Sequence, residues 1–203
     1  MTTRRAAIIL AGGRSRRMGT DKLALRIERA TLLERAVAAC AAHADALVVA
    51  GPKPPQWQGP PGAIFVVEDP PFGGPAAGIA VALAHLARCQ PRDPDAEVLL
   101  LAGDLENPDR VVEALMAAEL GTDGVALRDI DGWVQYLAGR YRILQLRNVF
   151  ISDIPIRDIS VRRQMRGLSL KFVDSPRIVT RDIDTPSDAA IAGISSPPNA
   201  DGR

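Results

Sequence analysis

Residues 10–22 read Leu10-Ala11-Gly12-Gly13-Arg14-Ser15-Arg16-Arg17-Met18-Gly19-Thr20-Asp21-Lys22. The segment follows an apolar run at residues 6–10 that is too short, and too abruptly ended by glycine, to be a helix. It predicts a buried strand that runs straight into a loop. Gly12 and Gly13 let bare backbone N–H groups approach a ligand, and Arg14, Arg16, Arg17 and Lys22 add positive charge around them. Both features suit a polyphosphate. A glycine pair alone would read as a tight turn with a solvated rim; the cations directly after the first strand favour anion binding.

Working outward, the elements alternate. Residues 31–43 have helical periodicity, with Thr31 as an N-cap ahead of Glu34. Residues 46–50 form a short apolar strand, and the Pro- and Gly-rich stretch 51–62 a surface loop. A third strand is expected at 64–67, a proline-opened helix at 75–88, a central strand at 97–102 and a second proline-opened helix at 108–119. Strands follow at 124–127 and about 134–138, a mostly helical region at 143–167, a last strand at 168–173 and a short helix at 186–191. Short buried strands alternating with helices imply βαβ units, hence an α/β fold with a mostly parallel sheet covered on both faces. Absence of repeats or interior linkers points to one domain over residues 1–194, with the Ser-, Pro- and Gly-containing tail 195–203 disordered.

Composition bounds the function. The chain has 203 residues, 47% apolar and 24% charged, with a net charge of +1. No global field favours nucleic acid or an anionic membrane, so the basic cluster is a local feature matched to a small anion. No apolar run approaches a bilayer span and no signal-like segment follows Met1, so a cytoplasmic location is expected. Cys40 and Cys89 lie in alanine-rich helical stretches and read as buried free thiols, and His43 and His85 receive no role.

In such sheets ligands sit beyond the carboxyl ends of the strands. The basic glycine loop follows the first strand, Glu68-Asp69-Pro70-Pro71-Phe72-Gly73-Gly74-Pro75-Ala76-Ala77-Gly78 the third, and Gly103-Asp104 the fourth. These should converge on one edge. Asp104 emerges there from a buried strand, where a carboxylate can hold Mg²⁺, a hard cation usually shared with substrate phosphates. Asn107, directly before Pro108, is the better N-cap of the next helix. Gly73, Gly74 and Gly78 would allow backbone to approach a flat base or ribose. Asp182 and Asp184 alternate on an extended segment and share a face, which suits a second metal contact or the orientation of an acceptor.

The opening segment fits neither the Walker loop nor the G-x-G-x-x-G fingerprint. It resembles the L-A-G-G-x-S-x-R-M-G-x-x-K signature of nucleotidyltransferases, through Leu10, Ala11, Gly12, Gly13, Ser15, Arg17, Met18, Gly19 and Lys22. Within them it is most similar to the molybdenum cofactor guanylyltransferase branch. Residues 73–78 resemble that branch's G-P-L-A-G segment, and Asp69 lies where the branch carries a nucleotide-contacting aspartate. Residues 182–188 match a D-I-D-T-P-x-D ending that leans toward other branches, and residues 131–142 resemble a strand facing the acceptor, although core packing explains Trp133 and Tyr136 equally well. Two departures stand out: Leu105-Glu106-Asn107 replaces a commoner Met/Thr-Pro-aromatic, and Ala50 stands where a polar contact is usual.

The resemblance spans residues 6–192 and implies a three-layer, Rossmann-like nucleotidyltransferase fold with a mostly parallel mixed sheet. It implies Mg²⁺-dependent attack of a phosphorylated acceptor on the α-phosphate of an NTP. Arg17 and Lys22 would neutralise the β- and γ-phosphates, Asp104 with Asp182 or Asp184 would hold the metal, and Leu10, Ala11, Gly12, Gly13, Lys22, Asp69, Gly74, Gly78 and Asp104 would line the nucleotide. GTP and a molybdopterin-type acceptor are the expected substrates, with molybdoenzyme maturation proteins as further partners. Open alternatives are CTP or a sugar-phosphate acceptor on the same fold, and a nucleotide-binding relative without turnover.

Overall fold

The apolar runs become the strands of one sheet, and the segments between them its helices. The computed structural model describes residues 4–11, 23, 25–27, 29–89, 93–152 and 156–175. In chain order these build β1 (Arg5–Leu10), β2 (Arg26–Ile27), β3 (Ala30–Thr31), α1 (Leu32–Ala41), β4 (Ala46–Ala50), β5 (Ala63–Val66) and α2 (Pro75–Cys89). They continue with β6 (Glu97–Ala102), α3 (Pro108–Ala117), β7 (Gly124–Arg128), β8 (Val134–Arg142), α4 (Ile143–Phe150), α5 (Val161–Met165) and β9 (Leu170–Asp174). The loop 12–22 and everything from residue 176 onward, including the expected helix 186–191 and the tail, lie outside the described residues.

The seven-stranded sheet has the order β5-β4-β1-β6-β8-β7-β9. All neighbours pair in parallel except β8, which runs antiparallel to β6 and to β7. Alternation along β1 sends Ala6, Ile8 and Leu10 into an apolar layer with α2, α4 and α5, and Ala7 and Ile9 into a second layer with α1 and α3. The result is the expected α/β sandwich of three layers with a mostly parallel mixed sheet. Each fully buried leucine or isoleucine in these layers contributes about 1.5–3 kcal/mol of transfer free energy. None of the described helices is long and apolar enough to cross a membrane.

Three elements depart from the sequence reading. A two-stranded antiparallel ribbon, β2–β3, precedes α1. The region expected to be mostly helical holds two short helices, α4 and α5, with non-helical chain at residues 151–152 and 156–160. And β8 continues to Arg142 rather than ending at residue 138. Its alternation is broken because the register to β7 jumps from Ala126 opposite Gly139 to Leu127 opposite Gln135, so residues 136–138 bulge out. The Tyr141 hydroxyl, buried under the bulge, donates to the Tyr136 carbonyl at 2.8 Å. A Cβ at Gly139 would overlap the Tyr141 ring, which is why glycine stands there.

Local chemistry explains the helix starts. Thr31 forms the predicted capping box: its hydroxyl accepts the Glu34 N–H at 3.1 Å and the Glu34 carboxylate accepts the Thr31 N–H at 2.8 Å. The other Glu34 oxygen accepts the Gln58 N–H at 2.8 Å, pinning the Pro-rich loop to α1. Asn107 is the N-cap residue of α3, as expected, but its side chain makes no capping hydrogen bond.

The thiols divide. Burial, with the Asp109 carboxylate adding, pushes the Cys40 thiol up to about 12, so it is a protonated core filler. Cys89 is exposed at the end of α2, contrary to the buried reading, and its sulfur lies 3.6 Å from His85 Nε2 one helical turn earlier.

Candidate active site

Parallel pairing carries the ends of β1, β4, β5 and β6 to one edge of the sheet, and hydrogen bonds extend the ladder one residue past each strand. Ala11 N–H donates to the Ala50 carbonyl at 2.9 Å, Gly51 N–H to Val66 at 2.8 Å and Gly103 N–H to Leu10 at 2.9 Å. This stitching fixes the rim from which the loop 12–22 departs. It also fixes Asp104, a partly buried residue in the turn directly after Gly103.

Gly103 has no room for a side chain. A Cβ there would come within 2.8 Å of the Leu10 carbonyl oxygen and 3.2 Å of the Leu23 and Leu33 methyls. Gly103→Ala should therefore push the turn off β1, costing about 1–3 kcal/mol of stability and lowering turnover more than its shift in melting temperature accounts for. Wild-type kinetics in that variant would separate Asp104 from the chemistry.

The loop after β5 is held from two sides. Glu68 accepts the Gly73 N–H at 3.1 Å, and Arg157, from the segment between α4 and α5, donates to the Pro70 carbonyl at 2.5 Å. Asp158 N–H donates to the Gly73 carbonyl at 2.8 Å. The Asp69–Pro70 peptide is cis. Phe72, 62% exposed, is in the left-handed region at φ 67°, a rare conformation for an aromatic residue that this bracing maintains. Gly74, at φ 87°, opens α2 with free space where a Cβ would be, and its carbonyl accepts the Ala77 and Gly78 N–H groups. A cavity of about 260 Å³ lies behind this loop, with Glu68, Asp69 and Arg157 at its wall and Ala77, Ala80 and Phe150 beneath.

Gly78 is buried, and a Cβ there would make ordinary contact with the Ala50 Cβ and the Leu10 Cδ2 at 3.4 Å, so α2 lies directly on the ends of β1 and β4. Ala50 faces it, so the missing polar side chain at Ala50 is replaced by helix–sheet packing. Leu105 is likewise explained by the core: it is 2% exposed among the α1 and α3 residues, anchoring the chain just past Asp104.

The antiparallel β8 begins at the same edge. Asp129 Oδ1 accepts the N–H groups of Asp131 at 3.0 Å and Trp133 at 2.9 Å, and Oδ2 accepts Gln135 Nε2 at 2.8 Å. This turn holds Trp133 outward, 58% exposed, rather than in the core. The sequence reading had weighed core packing for Trp133; the hairpin turn overrides it. Beyond β9 the chain reaches this edge again, where Ser175 N–H donates to the Arg128 carbonyl at 2.9 Å.

Thus Leu10, Ala11, Asp69, Gly74, Gly78 and Asp104 gather around the carboxyl ends of β1, β4, β5 and β6. Gly12, Gly13, Arg17, Lys22, Asp182 and Asp184 lie outside the described residues. Among the described residues no cluster of three or more His, Cys, Asp or Glu side chains could hold a metal ion. Gln135, with Trp133 and Tyr136, stands out in the sequence as a polar-aromatic cluster on this strand, but Asp129 does not; the signal was an aspartate four residues before an aromatic in a turn containing Gly132.

Residues 7–165 match the family described as the MobA-like NTP transferase domain. The chain belongs to this family. A curated relative of this MobA-like domain, the probable molybdenum cofactor guanylyltransferase of Synechococcus elongatus, is 39% identical over 105 residues, 49% of this chain and 50% of that protein. The chain thus spans about half the length of the curated relatives it matches. A crystal structure of the Mycobacterium tuberculosis Rv0371c homologue from Mycobacterium sp. strain JC1 has a TM-score of 0.69 at 23% identity, covering 95% of this chain and 97% of that one. Rv0371c itself, in a complex with manganese, has a TM-score of 0.56 at 20% identity, covering 95% and 98%. At these identities the structural likenesses establish the shared fold of the MobA-like domain.

Proposed function

We propose that the chain transfers GMP from GTP to a molybdopterin-type phosphorylated acceptor, releasing pyrophosphate. The observation that carries this reading is the rim itself. It sets Asp104 between the strand end that leads into the glycine-rich basic loop and the β8 turn of Asp129, Trp133 and Gln135. Donor phosphates on one side and an acceptor on the other would meet at Asp104. The choice of guanine and of molybdopterin rests on the residues 73–78 and on the similarity to the Synechococcus protein.

In the proposed reaction an oxygen of the acceptor phosphate forms a bond to the α-phosphorus while the bond from that phosphorus to the α–β bridging oxygen breaks. Pyrophosphate leaves with the electron pair. The acceptor phosphate is ionised near neutral pH, so no general base is required; catalysis is positioning and charge neutralisation. Arg17 and Lys22 would bind the β- and γ-phosphates. Leu10, Ala11, Gly12, Gly13, Asp69 and Gly74 would line the nucleotide, with Gly78 holding α2 in place beneath it.

Mg²⁺ is the proposed cofactor. The donors suit it: a single rim carboxylate, Asp104, is the number such an ion commonly takes from a protein when substrate phosphates supply the rest. Asp182 or Asp184 would add a second ligand. When bound, the ion supplies charge neutralisation at the α-phosphate. The manganese complex of Rv0371c shows a protein of this fold with a divalent ion.

Pyrophosphate release measured with GTP, CTP and ATP, each without acceptor, with molybdopterin and with a sugar phosphate, tests the reading. GTP with molybdopterin should exceed every other combination by roughly tenfold or more, a difference of about 1.4 kcal/mol. Faster release with CTP would replace the guanine assignment, turnover only with a sugar phosphate would replace the acceptor, and nucleotide binding without release under any condition would leave a non-catalytic relative.

A further inference from the structure

A second cavity, of about 180 Å³, opens on the acceptor side of the rim, between Ala102 and Leu105 flanking Asp104, Gln135 with the bulge of residues 136–138, and Val161 at the start of α5. Val161 and Met165 anchor α5 in the core, which turns Arg162, Arg163 and Arg166 outward. Among the described residues none of these three arginines has a carboxylate within ion-pair distance. The chain as a whole carries a net charge of +1, so this is a local positive patch. Arg162 is not loose within it. Its guanidinium lies 5.0 Å from the centre of the Trp133 ring, and Trp133 is itself held by Asp129.

We infer that Arg162, stacked on Trp133, is the residue that binds the acceptor's phosphate and sets the enzyme's preference for a phosphorylated, ring-bearing acceptor. This rests on the reading above that the acceptor is a phosphorylated pterin. Three features of the arrangement support it. A guanidinium held over an aromatic ring is positioned without spending its N–H donors, which stay available in the planar fork that matches a phosphate. Trp133 leaves more than half its surface exposed beside the cavity, a flat face for a heteroaromatic ring. Asp129 holds the Trp133 backbone N–H and the Gln135 amide at once, so the backbone that carries the ring and the amide at the cavity wall are fixed by one carboxylate. Arg162 is thus a binding and specificity residue, and Asp129 a positioning residue.

The two tryptophans, Trp57 and Trp133, make the test direct. Trp57 packs edge-on against Phe65 on β5, which β4, β1 and β6 separate from β8, and Trp57→Phe keeps an aromatic contact there while leaving Trp133 the sole reporter. Molybdopterin titrated into the Trp57→Phe protein should quench Trp133 emission saturably. Adding Arg162→Ala should raise the midpoint roughly tenfold, as expected for a lost charge-assisted contact, with GTP affinity and melting temperature unchanged. Arg162→Lys, which keeps charge but not the planar fork, should recover part of the loss. In turnover the effect should fall on KM for molybdopterin, not on kcat or on KM for GTP. An unchanged midpoint in Arg162→Ala, or no quenching of Trp133 by molybdopterin, overturns the inference. Quenching that depends on Arg162 but is accompanied by no pyrophosphate release from GTP upholds it and overturns the guanylyl-transfer reading instead.

Discussion

Asp104→Asn should lower turnover by roughly 10²–10³-fold, the range lost when one charge-stabilising group is removed from an active site. The asparagine keeps the size of the side chain, removes its charge and exchanges one acceptor oxygen for an NH2 donor. Gly103, bonded to Leu10, and Leu105, buried beneath α1 and α3, hold the backbone on both sides of residue 104. The melting temperature should therefore stay within a few degrees of wild type, since a near-isosteric change at a partly exposed position whose backbone is held on both sides costs about 1 kcal/mol or less. Nucleotide binding without metal should persist, because the loop 12–22 supplies the phosphate contacts in the proposed mechanism. Turnover within threefold of wild type at ordinary Mg²⁺ would remove Asp104 from the metal site.

The largest stability effect lies at the other end of the same strand. Glu97, 8% exposed, receives Arg5 Nε at 2.9 Å and Arg140 Nη1 at 3.0 Å on one carboxylate oxygen, tying β1, β6 and β8 together. Arg140 also donates to the Ala118 carbonyl at 2.6 Å, while its Nε is buried without a partner. Glu97→Gln would leave two guanidinium groups facing one neutral amide in a nearly dry site. Breaking a buried pair from one side costs about 3–5 kcal/mol. At about 2–4 °C per kcal/mol for a chain of this size, the melting temperature should fall by roughly 10 °C. The strand spans roughly 20 Å between Glu97 and Asp104, so kcat measured well below the new transition should match wild type. A fall of under about 2 °C would show that the network contributes no net stability.

These two aspects of β6 separate what was legible in the sequence from what was not. Residues 97–102 read as a buried central strand because a short, continuous apolar run admits little else, and Asp104 followed as the residue emerging at its carboxyl end. The same logic located β1, β4 and α2, whose boundaries are marked by glycine and proline. It also located the capping box of Thr31 and Glu34, because that bond pattern closes within four residues. Such features are local: the chemistry that sets them lies within a few positions along the chain.

The tertiary structure decided the rest. Nothing near Glu97 in sequence says that it is buried; Arg5 and Arg140, 92 and 43 residues away, make that possible. That Gly78 rests on Leu10 and Ala50, 68 and 28 residues away, is a contact that no local pattern announces. β8 lost its alternation to a bulge whose carbonyl is satisfied by Tyr141 from below, and Trp133 was turned outward by a single aspartate in a hairpin turn. By itself, the sequence determined the fold class and where β1 hands over to the segment proposed to bind the donor, because both depend on contiguous patterns. The proposed acceptor side depends on β8 entering antiparallel between β6 and β7 and on α5 docking beside it, contacts between distant segments that no local pattern encodes.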